Sequence, residues 1–527
     1  MQSWCPELWR RNAEFYGSKV AVIDGDKRLT WAEINERVNR LYWVLRNRGV
    51  AKGDRVAVLA PNCAEFLECR GACEKGGYVG VPISWRAPAE TIKYIVNHSE
   101  AGVLVVHQKF CDLVTGIRSE LPSVKHVLTL GEPQDVSVGE PYEEALSEAS
   151  PEEPDALPED DDLVYLIYSS GTTGLPKGIM YHHRMQLESS KLHIMDLGLR
   201  STDVTYSVLP WFHSGGHAIS SATCYVGATQ IAVERFEVEQ FLRVAARERV
   251  TLAHVVPTMI AMILEHPALD RFDLSSLRTF SYVGASMPLG LLQKAMQKFG
   301  RDRFIQMYGL TENGPIVSCL SREDHIRAVT DGATEAERRR LGSIGVPDCT
   351  VRVRIVDEYG NLLPPGEAGE IAVRSENTMK GYWKQPELTQ QKLRDGWLLT
   401  GDVGKLDEDG YLYLLDRKDD MIVTGGENVY PSHVEQVLCL HPAVKEAAVV
   451  GVPDEKWGER VVAAVALWPG GTATEEELIE FCKGKLAGYE RPKSIVILPE
   501  LPKSGSGKIM RKDVRNHLRQ VLAGSVG

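Results

Sequence analysis

Residues 163–168 read LVYLIY, an apolar and aromatic run without a helical period, and lead at once into SSGTTGLPKG at 169–178. A buried strand that empties into a loop of small residues constrains the fold strongly, because open parallel α/β sheets bind ligands in loops beyond the carboxyl ends of their strands. A second unit of this kind follows. Residues 277–283 predict a strand and Gly284, Ala285 and Ser286 a turn. Pro288 suits a first helical turn, and Leu291, Leu292, Ala295, Met296 and Phe299 recur at helical spacing before Gly300, a stop signal. Residues 303–308 return to a strand. The alternation predicts an α/β protein whose large N-terminal part is built on doubly wound sheets.

Beyond about residue 345 the pattern changes to short strands, 351–356 and 369–373, divided by DEYGN at 357–361 and PPG at 364–366, which predicts a small β subdomain. From Met421 onward two capping-box pairs announce helices, Ser432 with Glu435 and Thr474 with Glu477, and apolar strands lie near 447–450, 461–467 and 495–498. An α+β domain of about 110 residues therefore closes the chain.

With 43% hydrophobic and 25% charged residues, the composition excludes disordered and fibrous classes. The net charge of −12 is local: residues 131–162 hold 13 acidic side chains and no Lys or Arg, so most of this proline-containing stretch reads as a solvated connector. No basic stripe supports nucleic-acid binding. Ten scattered cysteines form no CxxC pair or zinc spacing and read as reduced, mostly buried thiols. The sequence has no signal-peptide core, no run near the ~18 apolar residues of a membrane span and no C-terminal address signal, so a cytoplasmic protein is expected.

The 169–178 loop brings together the hydroxyls of Ser169, Ser170, Thr172 and Thr173, the glycines Gly171 and Gly174, and Lys177. Glycines admit backbone N–H groups close to an anion, hydroxyls add donors and lysine supplies charge, so this set offers a polyphosphate cradle. It is not a Walker A loop, because Pro176 stands where that motif requires Gly before Lys.

Four further polar segments follow in order: YGLTE at 308–312, TGD at 400–402, DRKD at 416–419 with GGEN at 425–428, and PKSGSGK at 502–508. Together with the loop they resemble the ordered core motifs of the adenylate-forming superfamily, which contains acyl-CoA synthetases, luciferases and nonribosomal peptide synthetase adenylation domains. The match runs from about Trp31 to Lys512. The resemblance implies that the 169–177 loop handles the β- and γ-phosphates of ATP. It implies an adenine shelf made by Gly284, Ala285 and Ser286 with Gln306, Met307, Tyr308 and Gly309. Thr311 would contact phosphate, Glu312 would help hold Mg²⁺, and Asp402 and Arg417 would bind the ribose hydroxyls. Lys508 would be the mobile catalytic lysine. Asp419 would be the hinge between an N-terminal adenylation domain, 1–418, and a mobile C-terminal domain, 419–527, with Gly425 and Gly426 lining a tunnel for coenzyme A.

By the same resemblance His213 stands near the substrate carboxylate, and the acyl pocket is expected from Ser214, Gly215, Gly216, Val256, Pro257, Val283, Gly284, Met307 and Leu310. Ser214, Gly215 and Gly216 would remove bulk at the carboxylate end. Trp211 departs from the smaller aliphatic residue of relatives and bears on pocket depth. His217 reads as a packed histidine, and with His213 it lacks the further ligands of a metal site. Residues 209–217 contain no Asp to pair with an α-ammonium, so amino-acid substrates are disfavoured.

The expected activity is activation of an aromatic, alicyclic or medium-to-long aliphatic acid by ATP and Mg²⁺, followed by transfer to coenzyme A. The alternatives are a stand-alone enzyme that loads a carrier-protein phosphopantetheine and a catalytically silent nucleotide-binding regulator. A homodimer, and acetylation of Lys508 by a lysine acetyltransferase, are further expectations.

Overall fold

The computed structural model describes residues 1–131, 138–154, 157–169, 175–285, 287–503 and 509–524, whose strands fall into four sheets. One seven-stranded sheet runs in the order Glu140–Pro141, His126–Leu130, Val103–His107, Arg55–Leu59, Val79–Pro82, Leu163–Ser169, Lys177–His182. The strand expected from LVYLIY is therefore next to its edge. Lys177–His182 turns back antiparallel along it and places Ser169 opposite Lys177.

The nine-stranded sheet is parallel through Phe304–Tyr308, Thr279–Tyr282, Leu252–Val255, Val204–Ser207, Thr229–Ala232 and Val20–Asp24, with antiparallel strands at both ends. Its order reverses around Val204–Ser207, since the chain goes first to the neighbour Thr229–Ala232 and then returns to the other side as Leu252–Val255. At such a reversal the loops after adjacent strands diverge and leave a crevice. The helix Leu289–Phe299 buries Leu292, Ala295, Met296 and Phe299 as their spacing predicts. It ends at Gly300, whose φ of +106° only glycine adopts easily.

Polar residues hold these layers together as well as apolar ones. The Glu74 carboxylate, fully buried on the helix Ala64–Gly76, accepts from Trp9 Nε1 at 2.6 Å, Tyr165 at 2.8 Å and Tyr225 at 3.0 Å. Three donors from three other elements offset the loss of water around it.

The small β unit is antiparallel throughout, with Arg352–Val356, Gly369–Arg374, Trp397–Leu406 and Leu412–Arg417 in succession. The last sheet is built beyond residue 421. There Val444–Asp454 pairs with Gly458–Leu467, Ser494–Ile497 lies parallel beside the latter, and the apolar clusters on the sheet draw on this part of the chain alone.

Two expectations are corrected here. Thr474 and Glu477 form the predicted capping box, but Ser432 and Glu435 do not. Pro431 starts that helix two residues earlier than a Ser432 cap would, so Ser432 lies inside its first turn. Its N–H donates to Asp416 and its hydroxyl to the carbonyl of Leu415, while Glu435 accepts from the backbone of Val449 and pairs with Arg511. The acidic stretch is also not a solvated connector throughout. Glu140 pairs with Arg48, Glu143 with Arg37 and Glu153 with the buried Lys75, and Tyr142 is buried on the helix Tyr142–Ser147. Composition records the charges of this segment but not the cations that meet them.

Candidate active site

The strand Phe304–Tyr308 is buried along its whole length, and its end delivers Tyr308 to the carboxyl edge of the nine-stranded sheet. The Tyr308 hydroxyl donates to Asp402 Oδ2, and Arg417 Nε lies 2.7 Å from Asp402 Oδ1. Asp402 and Arg417 face each other across the pair Trp397–Leu406 and Leu412–Arg417, so the ladder itself sets their approach. Burial pushes the Asp402 carboxyl up, and Arg417 beside it opposes that shift. Burial and the Asp402 charge push the Tyr308 phenol far up, so it remains a donor.

After Tyr308 the chain turns through Gly309, where a Cβ would stand 2.0 Å from the Pro315 carbonyl oxygen. Glycine is obligatory at that approach. The short turn Thr311–Asn313 follows, held on several sides. Tyr181 donates to the Thr311 carbonyl at 2.6 Å, Ser214 Oγ and Thr311 Oγ1 are 2.9 Å apart, and Tyr382 donates to Glu312 Oε1 at 2.9 Å. Lys177 Nζ lies over the Tyr382 ring, 5.8 Å from its centroid. The cradle hydroxyls and glycines Ser170, Gly171, Thr172, Thr173 and Gly174 lie outside the described residues, as do Ser286 and Lys508.

His213 is exposed and caps the helix Ser214–Tyr225, its Nδ1 accepting from the Gly215 N–H at 3.3 Å. The expected removal of bulk by the next three residues is only partly met. Ser214 is buried against Thr311, and Gly216 is required by packing, since its Cβ would lie 2.2 Å from the Pro210 carbonyl oxygen; only at Gly215 would a Cβ meet nothing within 3.8 Å. His217 is packed as expected: it is buried, bonded to Gln186 at 3.0 Å and set edge-on to Tyr165, and burial pushes its pKa well below the usual value. Trp211 is turned into the core, donating to Ser207 at 2.7 Å with its ring against Phe66.

Of the expected acyl-pocket walls, Met307 and Leu310 are buried in one apolar cluster against which Val283 packs. Val256 and Pro257 are buried at the start of the helix Pro257–Glu265, while Gly284 and Ala285 are exposed and Gln306 is buried. Gly425 and Gly426 form the hairpin turn between Ile422–Thr424 and Glu427–Val429, with φ of +61° and +87°. A Cβ on Gly425 would lie 2.8 Å from the Trp457 ring, while one on Gly426 would meet nothing within 4 Å. Asp419 is exposed in a turn. The bases of the 504–508 segment are joined by a bridge between Lys503 and Ile509, and Lys503 pairs with Glu446 at 2.9 Å.

Among the described residues no three His, Cys, Asp or Glu side chains converge as a metal site. Glu312 alone fits a hard cation that takes its other oxygens from phosphates and water, the usual way Mg²⁺ binds with a nucleotide. The sequence reading missed Tyr382 and Tyr181, although Gly-Tyr-Trp at 381–383 is a turn-and-aromatic signal that could have drawn attention.

The model of the AMP-binding enzyme family matches residues 9–383, and that of the AMP-binding enzyme C-terminal domain matches residues 433–508. The chain belongs to this family. The chain is 38% identical over 506 residues to a feruloyl-CoA synthase from an Amycolatopsis species, covering 96% of this chain and 97% of that protein. It is 32% identical to the long-chain-fatty-acid–CoA ligase FadD13 of Mycobacterium tuberculosis, covering 93% of each. The anthranilate CoA ligase AuaEII, solved in complex with anthranoyl-AMP, superposes with a TM-score of 0.89 at 29% identity over 98% of each chain. The chain is thus an AMP-forming acid–thiol ligase that uses ATP and coenzyme A.

Proposed function

We propose that this ligase activates an aromatic carboxylic acid, with residues in the roles that follow. An oxygen of the substrate carboxylate attacks the α-phosphorus of ATP, the bond to the β-phosphate oxygen breaks, and pyrophosphate leaves. The coenzyme A thiol then attacks the carbonyl carbon of the acyl-adenylate, and AMP departs with the oxygen that came from the acid. Charge at the α-phosphorus and on pyrophosphate is stabilised by Lys177, Thr311 and Lys508, with the loop hydroxyls beside them. When bound, Mg²⁺ held by Glu312 supplies Lewis-acid stabilisation of the phosphates. His213 stands near the substrate carboxylate.

The observation that supports this reading is the buried Asp402 carboxylate, held by Tyr308 from the end of the strand Phe304–Tyr308 and by Arg417, an arrangement suited to receiving ribose hydroxyls. The chain divides at Asp419 into 1–418 and 419–527, and rotation there exchanges Lys508 for the Gly425-Gly426 turn between the two half-reactions. The feruloyl and anthranilate relatives support an aromatic acid. A separate carrier protein as acceptor is the second reading, supported by 34% identity to the fatty acid–[acyl-carrier-protein] ligase ScoC of Streptomyces coeruleorubidus.

Incubation with ATP, Mg²⁺, coenzyme A and a panel of hydroxycinnamic, benzoic, alicyclic and fatty acids, read by mass spectrometry, tests the proposal. Aromatic acyl-CoA with AMP is expected. Acyl-adenylate that accumulates without thioester would move the acceptor to a carrier protein. Acetylation of Lys508 removes its charge and is expected to silence the first half-reaction while ATP still binds.

A further inference from the structure

Tyr382 stands where the two opposite charges at the triphosphate end of the site meet. Its hydroxyl holds one oxygen of Glu312, and the face of the same ring carries Lys177. Among the described residues Lys177 and Glu312 form no ion pair with each other, although both reach this one side chain.

The backbone that presents Tyr382 is fixed on both sides. The segment 379–383 runs beside the strand Lys177–His182, with Met180 N–H donating to the Gly381 carbonyl at 2.9 Å and Trp383 N–H to that of Gly178 at 2.7 Å. Met379 N–H donates to the carbonyl of Glu312 itself at 2.8 Å. Tyr382 N–H donates to Thr389 Oγ1 at 2.9 Å, and Gly381 takes φ of +144° where a Cβ would press within 2.7 Å of Thr389. The segment thus ties the strand leaving the phosphate loop to the turn that bears Glu312.

We propose that Tyr382 is a positioning residue for Mg·ATP: its hydroxyl aims Glu312, and its ring keeps Lys177 from closing onto that carboxylate, so both charges stay open to the triphosphate and its cation. Opposite charges that reach a common neighbour attract one another, and the Tyr382 ring stands between these two. This rests on the reading of Glu312 and Lys177 given above. Tyr382 touches Glu312 rather than substrate, so its effect is indirect.

The test is isothermal titration calorimetry of the full chain with ATP, at several Mg²⁺ concentrations, alongside steady-state kinetics. Tyr382→Phe removes the donor and keeps the ring. It is expected to weaken Mg·ATP binding about tenfold, the scale of a lost hydrogen bond to a charged group. It should also raise the half-saturating Mg²⁺ concentration and leave the KM for the acid and the melting temperature unchanged. Tyr382→Leu, which also removes the ring, should weaken binding further. Parental Mg·ATP affinity in Tyr382→Phe, or a loss spread equally over acid and ATP with a lowered melting temperature, would overturn the proposal. Glu312→Gln separates the two readings. If it binds Mg·ATP as the parent does, the role of Glu312 fails; if it binds weakly while Tyr382→Phe is unaffected, only the role of Tyr382 fails. When both roles hold, Tyr382→Phe adds nothing in the Glu312→Gln background.

Discussion

Two arginines on either side of Asp419 make contrasting use of the same chemistry. Arg417 has a half-exposed side chain and pairs with one carboxylate among the described residues, its Nε 2.7 Å from Asp402 Oδ1. Arg511 is only 21% exposed and is surrounded by carboxylates: Asp416 at 2.7 Å, Glu435 at 2.8 Å and Asp420 at 3.3 Å. A guanidinium has five donors in a fixed fork. Where donors remain open the group can receive a ligand; where carboxylates take them up it fastens chain to chain. The neighbours Asp416 and Arg417 carry this division between them, because successive residues of a strand point to opposite faces. Asp416 receives Ser432 and Arg511 from beyond Asp419, and Arg417 turns toward Asp402.

Removing the fastener should have the largest effect. Arg511→Met leaves the buried Asp416 and the partly buried Glu435 without their cation and is expected to cost about 3–5 kcal/mol in urea unfolding. An unchanged midpoint would refute the description of Arg511 as a fastener. Lys508→Ala, three residues away in sequence, should leave stability alone and lower acyl-adenylate formation by about 100-fold or more, with nucleotide binding retained. Full activity in that variant would remove Lys508 from the mechanism. Arg417→Gln opens the other side of the comparison: ATP affinity should fall about tenfold, and the loss of stability should be smaller than in Arg511→Met, since Asp402 keeps its bond from Tyr308 and one carboxylate rather than three loses its cation. Equal losses of stability in Arg417→Gln and Arg511→Met would erase the distinction.

A pH titration sharpens the same point with a sign. The Asp402 carboxyl titrates above the ordinary carboxylate range, so in acid the folded protein takes up this proton before the unfolded chain does. Between the raised folded pKa and the usual unfolded one, the contribution of Asp402 to stability therefore increases as pH falls. Adenosine binding should weaken over the same window as Asp402 loses the charge that holds Arg417. Calorimetry with adenosine reports this without the titration of phosphate, and Asp402→Asn should flatten the profile. The smallest effect belongs to the helix cap at Glu475–Phe481, where Thr474→Ala should cost about 1 kcal/mol in thermal unfolding.

What the sequence disclosed was local. The helix Leu289–Phe299, the strand Leu163–Ser169 and the Thr474 capping box depend on residues a few positions apart, and periodicity or a short motif is enough to find them. Elsewhere distant partners decide the outcome. Ser432 and Glu435 have the spacing of a capping box, but Asp416, Leu415, Val449 and Arg511 take up their polar groups. The acidic stretch looks solvated until Arg37, Arg48 and Lys75 are placed against it. Trp211 reads as a pocket residue until its indole is found bonded to Ser207. Within the site, motifs point to Asp402, Arg417 and Glu312, whereas Tyr382 acquires its place only when the chain brings it back 70 residues to Glu312.

The most direct test of the chemistry is to supply an acid substrate labelled with ¹⁸O in both carboxylate oxygens and follow turnover with ATP and coenzyme A by mass spectrometry. The mechanism predicts one labelled oxygen in AMP and none in pyrophosphate, because the acid oxygen that attacks the α-phosphorus leaves with AMP. Label in inorganic phosphate with ADP as the nucleotide product would contradict adenylation, and with it the roles assigned to Asp402, Arg417 and Lys508.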